Sequence, residues 1–272
     1  MINLFNSIIN NLFCVLFFPL HYVSAFWGLF IFSALAGLFM LYIFKKVSNQ
    51  GGIRATKNHI KAHLLAIRLY KHDALLSMLA IGQIFVENSR YLLYALKPML
   101  VMIIPVMIII IQLGTRYGYN PAQVDQAILI SIHVKNDVDL KRVTIVPSSG
   151  IRIDVPPLYI VSTHEIFWRI CPLAPGTSTV TFHYNEQSES KKIVAGHNKD
   201  FVSAKRVRSS FAAFFYPAEK RLPSDSFLNE ITVGYPENRI QLAGFSMHWL
   251  LFFLLVSVGI GFLTKGIFRV QI

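Results

Sequence analysis

Twenty consecutive residues without a charge, Ala25 to Phe44 (AFWGLFIFSALAGLFMLYIF), constrain this chain more than any other feature. At 1.5 Å rise per residue such a run crosses the ~30 Å hydrocarbon core of a bilayer, and in lipid a single segment satisfies its own backbone only as a helix. Two further apolar runs follow. Pro98 to Leu113 (PMLVMIIPVMIIIIQL) reaches spanning length when Tyr91 to Lys97 joins it, with Lys97 snorkelling to the headgroups, and Phe245 to Thr264 is closed by Lys265. Of the 272 residues, 54% are hydrophobic and only 15% charged, against about 25% charged in soluble domains, which agrees with three long uncharged spans.

Charge sets the expected threading. The loop from Lys45 to Arg90 holds eight basic residues and two acidic ones, whereas Gly114 to Gly244 holds 15 basic and 12 acidic in a much longer segment. The positive-inside rule puts residues 45–90 in the cytoplasm, followed there by the tail 265–272 with Lys265 and Arg269, and puts residues 114–244 and the amino terminus outside. The expected location is the plasma (inner) membrane, crossed at 25–44, 91–113 and 245–264. Residues 1–24 carry no charge but contain Asn3, Asn6, Asn10, Asn11 and Pro19, so an interfacial helix or shallow re-entrant hairpin is expected, with a fourth span as the alternative.

Within the basic loop, Ile60, Leu64 and Ile67 recur at helical spacing, and Asp73 is placed to cap a second helix, Ala74 to Asn88, whose apolar face is Leu75, Met78, Leu79, Ile81 and Phe85. A helical hairpin burying both stripes is the expectation. Its cations Arg54, Lys57, Lys61, Arg68 and Lys71 suit anionic lipid headgroups, a ribosome or a polar stretch of a nascent client chain; DNA is not an expected partner. His59 and His63 stand one helical turn apart without a third ligand, so they are read as hydrated surface residues.

From Ala127 the period changes to two, with Ile128, Ile130, Ile132 and Val134 alternating with Leu129, Ser131 and His133. Short runs follow at 142–146, 151–155, 164–171, 177–184 and 191–195, separated by Pro and Gly. Together with Ile166, Trp168 and Ile170 on one face they suggest an all-β immunoglobulin-like sandwich over residues 118–200. Residues 201–244 read as a juxtamembrane helix, with Lys205, Arg206 and Arg208 near headgroups and Phe211, Phe214 and Phe215 in the apolar layer, then a hairpin of 231–235 with 239–242. The expected fold is thus a mixed membrane protein: a three-helix transmembrane core, a cytoplasmic helical hairpin and an extracytoplasmic β-sandwich.

Motifs of chemistry are sparse. No nucleophile-base-acid set, phosphate-binding glycine loop, or haem or iron-sulfur spacing is visible. His133, His164, His183 and His197 read as solvated residues on or between strands, and Asp137, Asp139 and Asp154 lack a calcium-loop pattern. Cys14 and Cys171 are read as structural, and neither an enzyme nor a cofactor is expected. In the spans, Pro105 removes a backbone hydrogen bond and Gly28, Ser33 and Gly37 allow close helix approach. Arg90, Lys97, Pro105 and Gln112 are candidates to line a wet groove.

The order of an outside terminus, one span, a basic hairpin, then Lys97-Pro98-Met99-Leu100 opening a span with a mid-helix proline resembles the Oxa1/YidC superfamily. The likeness is strongest to its small branch, which includes archaeal DUF106 proteins and the EMC3 and TMCO1 subunits, and it covers about Ala25 to Tyr117 and the final span. It implies a non-enzymatic protein that assists insertion or assembly of membrane proteins, with other membrane or envelope proteins as partners. Unlike that family, the chain sets about 130 residues between its last two spans. The alternative function is an envelope-complex structural subunit whose β domain binds a partner protein or a polysaccharide.

Overall fold

The computed structural model describes residues 2–19, 24–196, 202–242, 244–268 and 270, so His197 and Arg269 lie outside the described residues. Contacts divide the chain into two units, Met1–Gly28 with Ile110–Leu250, and Leu29–Ile109 with Leu251–Ile272. The elements in order begin with α1 (Ile2–Phe17), α2 (Ala25–Val47), α3 (Gln50–Leu69) and α4 (Ala74–Tyr117). Next come β1 (Ile128–Val134), β2 (Thr144–Pro147), β3 (Ile151–Ile153), β4 (Leu158–Ile160), β5 (Glu165–Pro172), β6 (Gly176–Tyr184), β7 (Gln187–Ala195) and β8 (Lys205–Val207). The chain continues with α5 (Ser210–Phe215), β9 (Leu228–Val233), β10 (Arg239–Leu242), β11 (Phe245–His248) and α6 (Trp249–Thr264). The fold is mixed, with helices beside antiparallel sheets.

Two helices, α2 and α4, are long and apolar enough to cross a bilayer; α1 and α6 are apolar but shorter, at 16 residues each. The sequence reading places one boundary at residue 90, yet α4 runs unbroken for 44 residues and carries both Pro98 and Pro105. Each proline removes one amide donor, and the remaining donors keep the helix continuous. The third apolar run is helical only from Trp249, because Phe245 to His248 pair antiparallel with Leu242 to Arg239 as β11 on β10.

In the first unit one sheet runs β3-β5-β1-β9-β8, with β4 pairing further along β5, and a second runs β2-β6-β7. β3 and β4 share one edge of β5; Pro156 and Pro157 lie between them, where missing amides interrupt a ladder, so the expected strand 151–155 ends at Ile153. β1 buries Ile128, Ile130, Ile132 and Val134 on its inner face, and β5 buries Ile166, Trp168 and Ile170 beside it. Both sheets feed one apolar core, in which Trp168 meets Phe182 of β6 with ring centroids 5.5 Å apart. Two expectations for 201–244 are corrected. Lys205 to Val207 are strand rather than helix, because Glu230 and Thr232 of β9 stand opposite them, and 231–235 join β1 and β8 instead of pairing with 239–242.

β7 departs from an apolar inner face, since Glu189 and Lys191 are both buried there. Lys191 Nζ donates to the Ser203 carbonyl at 2.7 Å, to Ser203 Oγ at 2.8 Å and to Glu219, while Glu189 pairs with Arg206 at 3.1 Å. Burial pushes the Lys191 amine below its ordinary value, and the Glu219 charge opposes this. A buried cation with all its donors used is stable only while its partners remain, so these contacts clamp the stretch 203–219 onto β7.

Tyr235 gives a second tie between the sheets, its phenolic oxygen accepting from the Val194 amide at 2.9 Å. Burial pushes this phenol up to about 12, with the Val194 amide pulling it down and Glu219 adding to the rise. A folded value above the ordinary one means the contribution is whole below pH 10 and is lost as pH rises toward about 12. Chemical denaturation across that window should show the wild type losing stability relative to Tyr235→Phe. At neutral pH the variant should be weaker by about 1–2 kcal/mol, since the buried Val194 amide loses its acceptor.

Candidate functional site

The second unit contains a helical hairpin whose surface is unusual. Asn49 starts α3, its side-chain oxygen accepting from the Gly52 amide at 2.9 Å. The turn Tyr70 to Asp73 ends it, and Asp73 Oδ1 then accepts from the Leu76 amide at 3.0 Å to start α4, as the sequence reading expects. The two helices do not meet through their leucines. At their contact Gly52 lies against the Tyr94 ring, Lys57 Nζ stands 5.5 Å from the centre of the Tyr91 ring, and the Glu87 carboxylate takes Arg90 at 2.8 Å and His59 at 3.5 Å. Glu87 is 5% exposed, with Ile53, Thr56 and Ala80 buried on the same two helices.

The expectation that both apolar stripes are buried fails for α4 and holds only in part for α3. Leu75, Leu79, Ile81 and Phe85 of α4 all stand exposed and Met78 is 75% exposed, whereas on α3 Leu64 is exposed, as are Leu65 and Leu69 outside the stripe, but Ile60 and Ile67 are half-buried. The reason is geometric: glycine and the ring-and-charge contacts occupy the shared face, leaving the leucines no partner across it. Arg54, Lys61, Arg68 and Lys71 are exposed among them, and Lys57 is half-buried. Apolar side chains and cations thus share the exposed surface of the hairpin.

A cleft of about 260 Å³ lies in the same unit between α2, α4 and α6. Gly37, Met40 and Phe44 line it from α2, Met102 and Val106 from α4, and Phe253, Ser257 and Gly261 from α6. Its walls are almost wholly apolar. α2 and α6 touch backbone to backbone beside it, for a Cβ on Gly37 would lie 2.3 Å from the Ser257 carbonyl oxygen. Ser33 turns its hydroxyl back onto the Leu29 carbonyl at 2.6 Å, so it offers the cleft no donor.

The four groove candidates do not converge. Arg90 is paired with Glu87, Lys97 is exposed, and Pro105 is half-buried beside Val106 on the cleft-lining stretch of α4. Gln112 belongs to the first unit, where it is buried and donates to Asn10 Oδ1 at 2.7 Å. Asn10 in turn donates to the Pro217 carbonyl at 2.7 Å, and Asn6 to the Ala213 carbonyl at 2.8 Å. Asn6 and Asn10 thus lie on the inward face of α1 with Phe13 and Phe17, whereas Asn3 and Asn11 are exposed.

Among the expected interfacial residues, Lys205 pairs with Glu230 at 2.6 Å and Arg206 with Glu189, so both are committed to the β sheets. Desolvation opposes charge on both members of the first pair, but the mutual hydrogen bond prevails, raising Lys205 and lowering Glu230 from their ordinary values. Phe214 packs on Phe5 of α1 at 6.0 Å, Phe215 is partly open, and Phe211 is 78% exposed. Arg208 is half-buried beside Arg221, a residue the sequence reading passed over. No group of three or more metal-ligating side chains occurs among the described residues; Asp139 caps the Lys141 amide and Asp154 pairs with Arg152. Comparison with protein-family models and with curated proteins gives no match.

The Gly37 contact is directly testable. Gly37→Val must push α2 and α6 apart, so the variant should unfold at lower temperature in detergent and be cut faster by protease, while Gly82→Val, in open space, should do neither, since valine is the better helix former by about 0.3 kcal/mol.

Proposed function

We propose that the chain is a multi-pass integral membrane protein that assists insertion or assembly of other membrane proteins, acting by binding rather than by catalysis. The observation that carries this reading is the hairpin, whose leucines, methionine and phenylalanine stand exposed between Arg54, Lys61, Arg68 and Lys71. An apolar client segment flanked by polar residues would match a surface of that composition. The uncharged cleft between α2, α4 and α6 gives such a segment an apolar neighbour inside the same unit.

The membrane reading draws on the length and hydropathy of α2 and α4. α6 adds a third crossing; its 16 residues rise about 24 Å, and flanking residues or local bilayer thinning make up the rest. The charge asymmetry favours a cytoplasmic hairpin and an extracytoplasmic β region at the plasma membrane. Descent from the Oxa1/YidC superfamily accords with this order of elements.

The β region is read as an immunoglobulin-like sandwich with a rearranged edge. Its sheets follow the D-E-B-A and C-F-G order of that fold if β1 is strand B, β2 is C, β5 is E, β6 is F and β7 is G. β9, from the far end of the segment, then stands where strand A would lie. One observation favours the second reading, an envelope subunit that docks a partner through this region. β4 exposes Leu158, with Val161 exposed in the turn just after it, and an uncovered apolar edge is a template for pairing.

The two readings rank perturbations oppositely. For the first, a photo-crosslinking residue at Met78 should capture newly made membrane segments, and replacing Leu75, Met78, Leu79 and Phe85 by serine should lower the abundance of multi-pass proteins. Unchanged membrane proteomes in that variant, with loss of function confined to deletion of residues 118–243, would instead assign the protein to the docking role. Cysteines placed at Lys61 and Lys141 and labelled in intact cells report the threading: only the second should react.

A further inference from the structure

We infer that Arg208 and Arg221 form a site for the phosphate of a membrane phospholipid, an assignment that rests on the membrane reading above and adds a ligand to it. Arg208 follows the last residue of β8, its amide donates to the Asn229 carbonyl at 2.9 Å, and the chain turns at once into α5. Arg221 reaches back across this turn, its guanidinium donating to Ser210 Oγ at 3.1 Å. The two arginines, with Ser209, Ser210, Ser224 and Asn229, line a cavity of about 360 Å³. Among the described residues neither guanidinium has a carboxylate within 4.0 Å, whereas the neighbouring cations Lys205 and Arg206 each have one. Two half-buried, uncompensated forks of N–H donors beside three serine hydroxyls match the oxygens of a phosphodiester.

What stands next to the cavity selects a lipid over a soluble phosphate. Phe211 follows Ser210 directly and projects 78% exposed. Beyond it, α5 is fastened to α1 by the Asn6 amide and the Phe5–Phe214 contact, and the Pro217 carbonyl just after α5 accepts from the Asn10 amide. The outward face of α1 presents Leu4, Ile8 and Leu12, all exposed and with no charge anywhere on the helix. An anion site with an exposed phenyl ring beside it, on an element fastened to a helix that carries an uncharged apolar shelf, fits a ligand that is phosphate at one end and hydrocarbon at the other. A free phosphate ion would leave the shelf in water.

The experiment uses the full chain in non-ionic detergent with dioleoylphosphatidylglycerol as probe, read by native mass spectrometry and thermal unfolding. The wild type should retain the lipid and unfold at higher temperature with it, while dioleoylglycerol and sodium phosphate should give neither effect. Arg208→Gln with Arg221→Gln should weaken retention roughly tenfold, the loss of charge-assisted hydrogen bonds, and Arg142→Gln should leave it unchanged. Phe211→Ser keeps both guanidinium groups and should also weaken retention, which covers the case of a double variant that fails to fold. Equal lipid retention by wild type and the arginine variants overturns the site, and equal protection by sodium phosphate overturns the lipid assignment. Alkaline carbonate extraction separates the two levels: a chain washed from membranes refutes the membrane reading itself, whereas a resistant chain with arginine-independent retention refutes only this inference.

Discussion

An apolar helix can stand in any apolar surroundings because its backbone asks nothing of its neighbours, and α4 uses that freedom for 44 residues. It forms one arm of the hairpin, walls the cleft with Met102 and Val106, and ends at Gln112 and Tyr117, to which α1 is joined through Asn10 and Phe17. Pro98 and Pro105 each remove a donor without ending it. Side chains, not backbone, therefore decide what each stretch of α4 does. Where Gly52, Lys57 and His59 face it, the contact is polar and aromatic, and the leucines are left outside.

The β region works by the opposite rule, since its polar groups are consumed internally. Lys191, Glu189, Arg206 and Glu219 are buried or half-buried in mutually satisfied pairs, and Lys205 takes Glu230. Removing one partner of a buried pair typically costs about 3–5 kcal/mol, because the other charge is stranded, so these groups are held to a structural role. That commitment gives Arg208 and Arg221 their significance. A half-buried guanidinium without an acid, beside Lys205 and Arg206 that each hold one, is available for an anion from elsewhere.

Much of the secondary structure was legible from periodicity. The alternation of Ile128, Ile130, Ile132 and Val134 announced β1, Ile166, Trp168 and Ile170 announced the core of β5, and Asp73 announced the start of α4. Gly37 was legible as a place of close approach, though its partner Ser257 was not. Less legible were segments whose state depends on remote pairing. Lys205 to Val207 read equally well as one turn of a basic helix until β9 stands beside them, and Phe245 to His248 read as membrane helix until β10 does.

The candidate sites divide along the same line. Residue order alone determined that this chain carries long uncharged runs, a cation-rich connector between two of them, and a strand-rich segment with a hydrophobic inner face, because charge density and period are local properties. Only tertiary structure decided which cations are spent and which are spare, since an ion pair joins residues such as Lys191 and Glu219 that no local pattern relates. It also decided that the hairpin leucines face outward, for a stripe of apolar residues specifies that one side of a helix avoids water but leaves open what covers it.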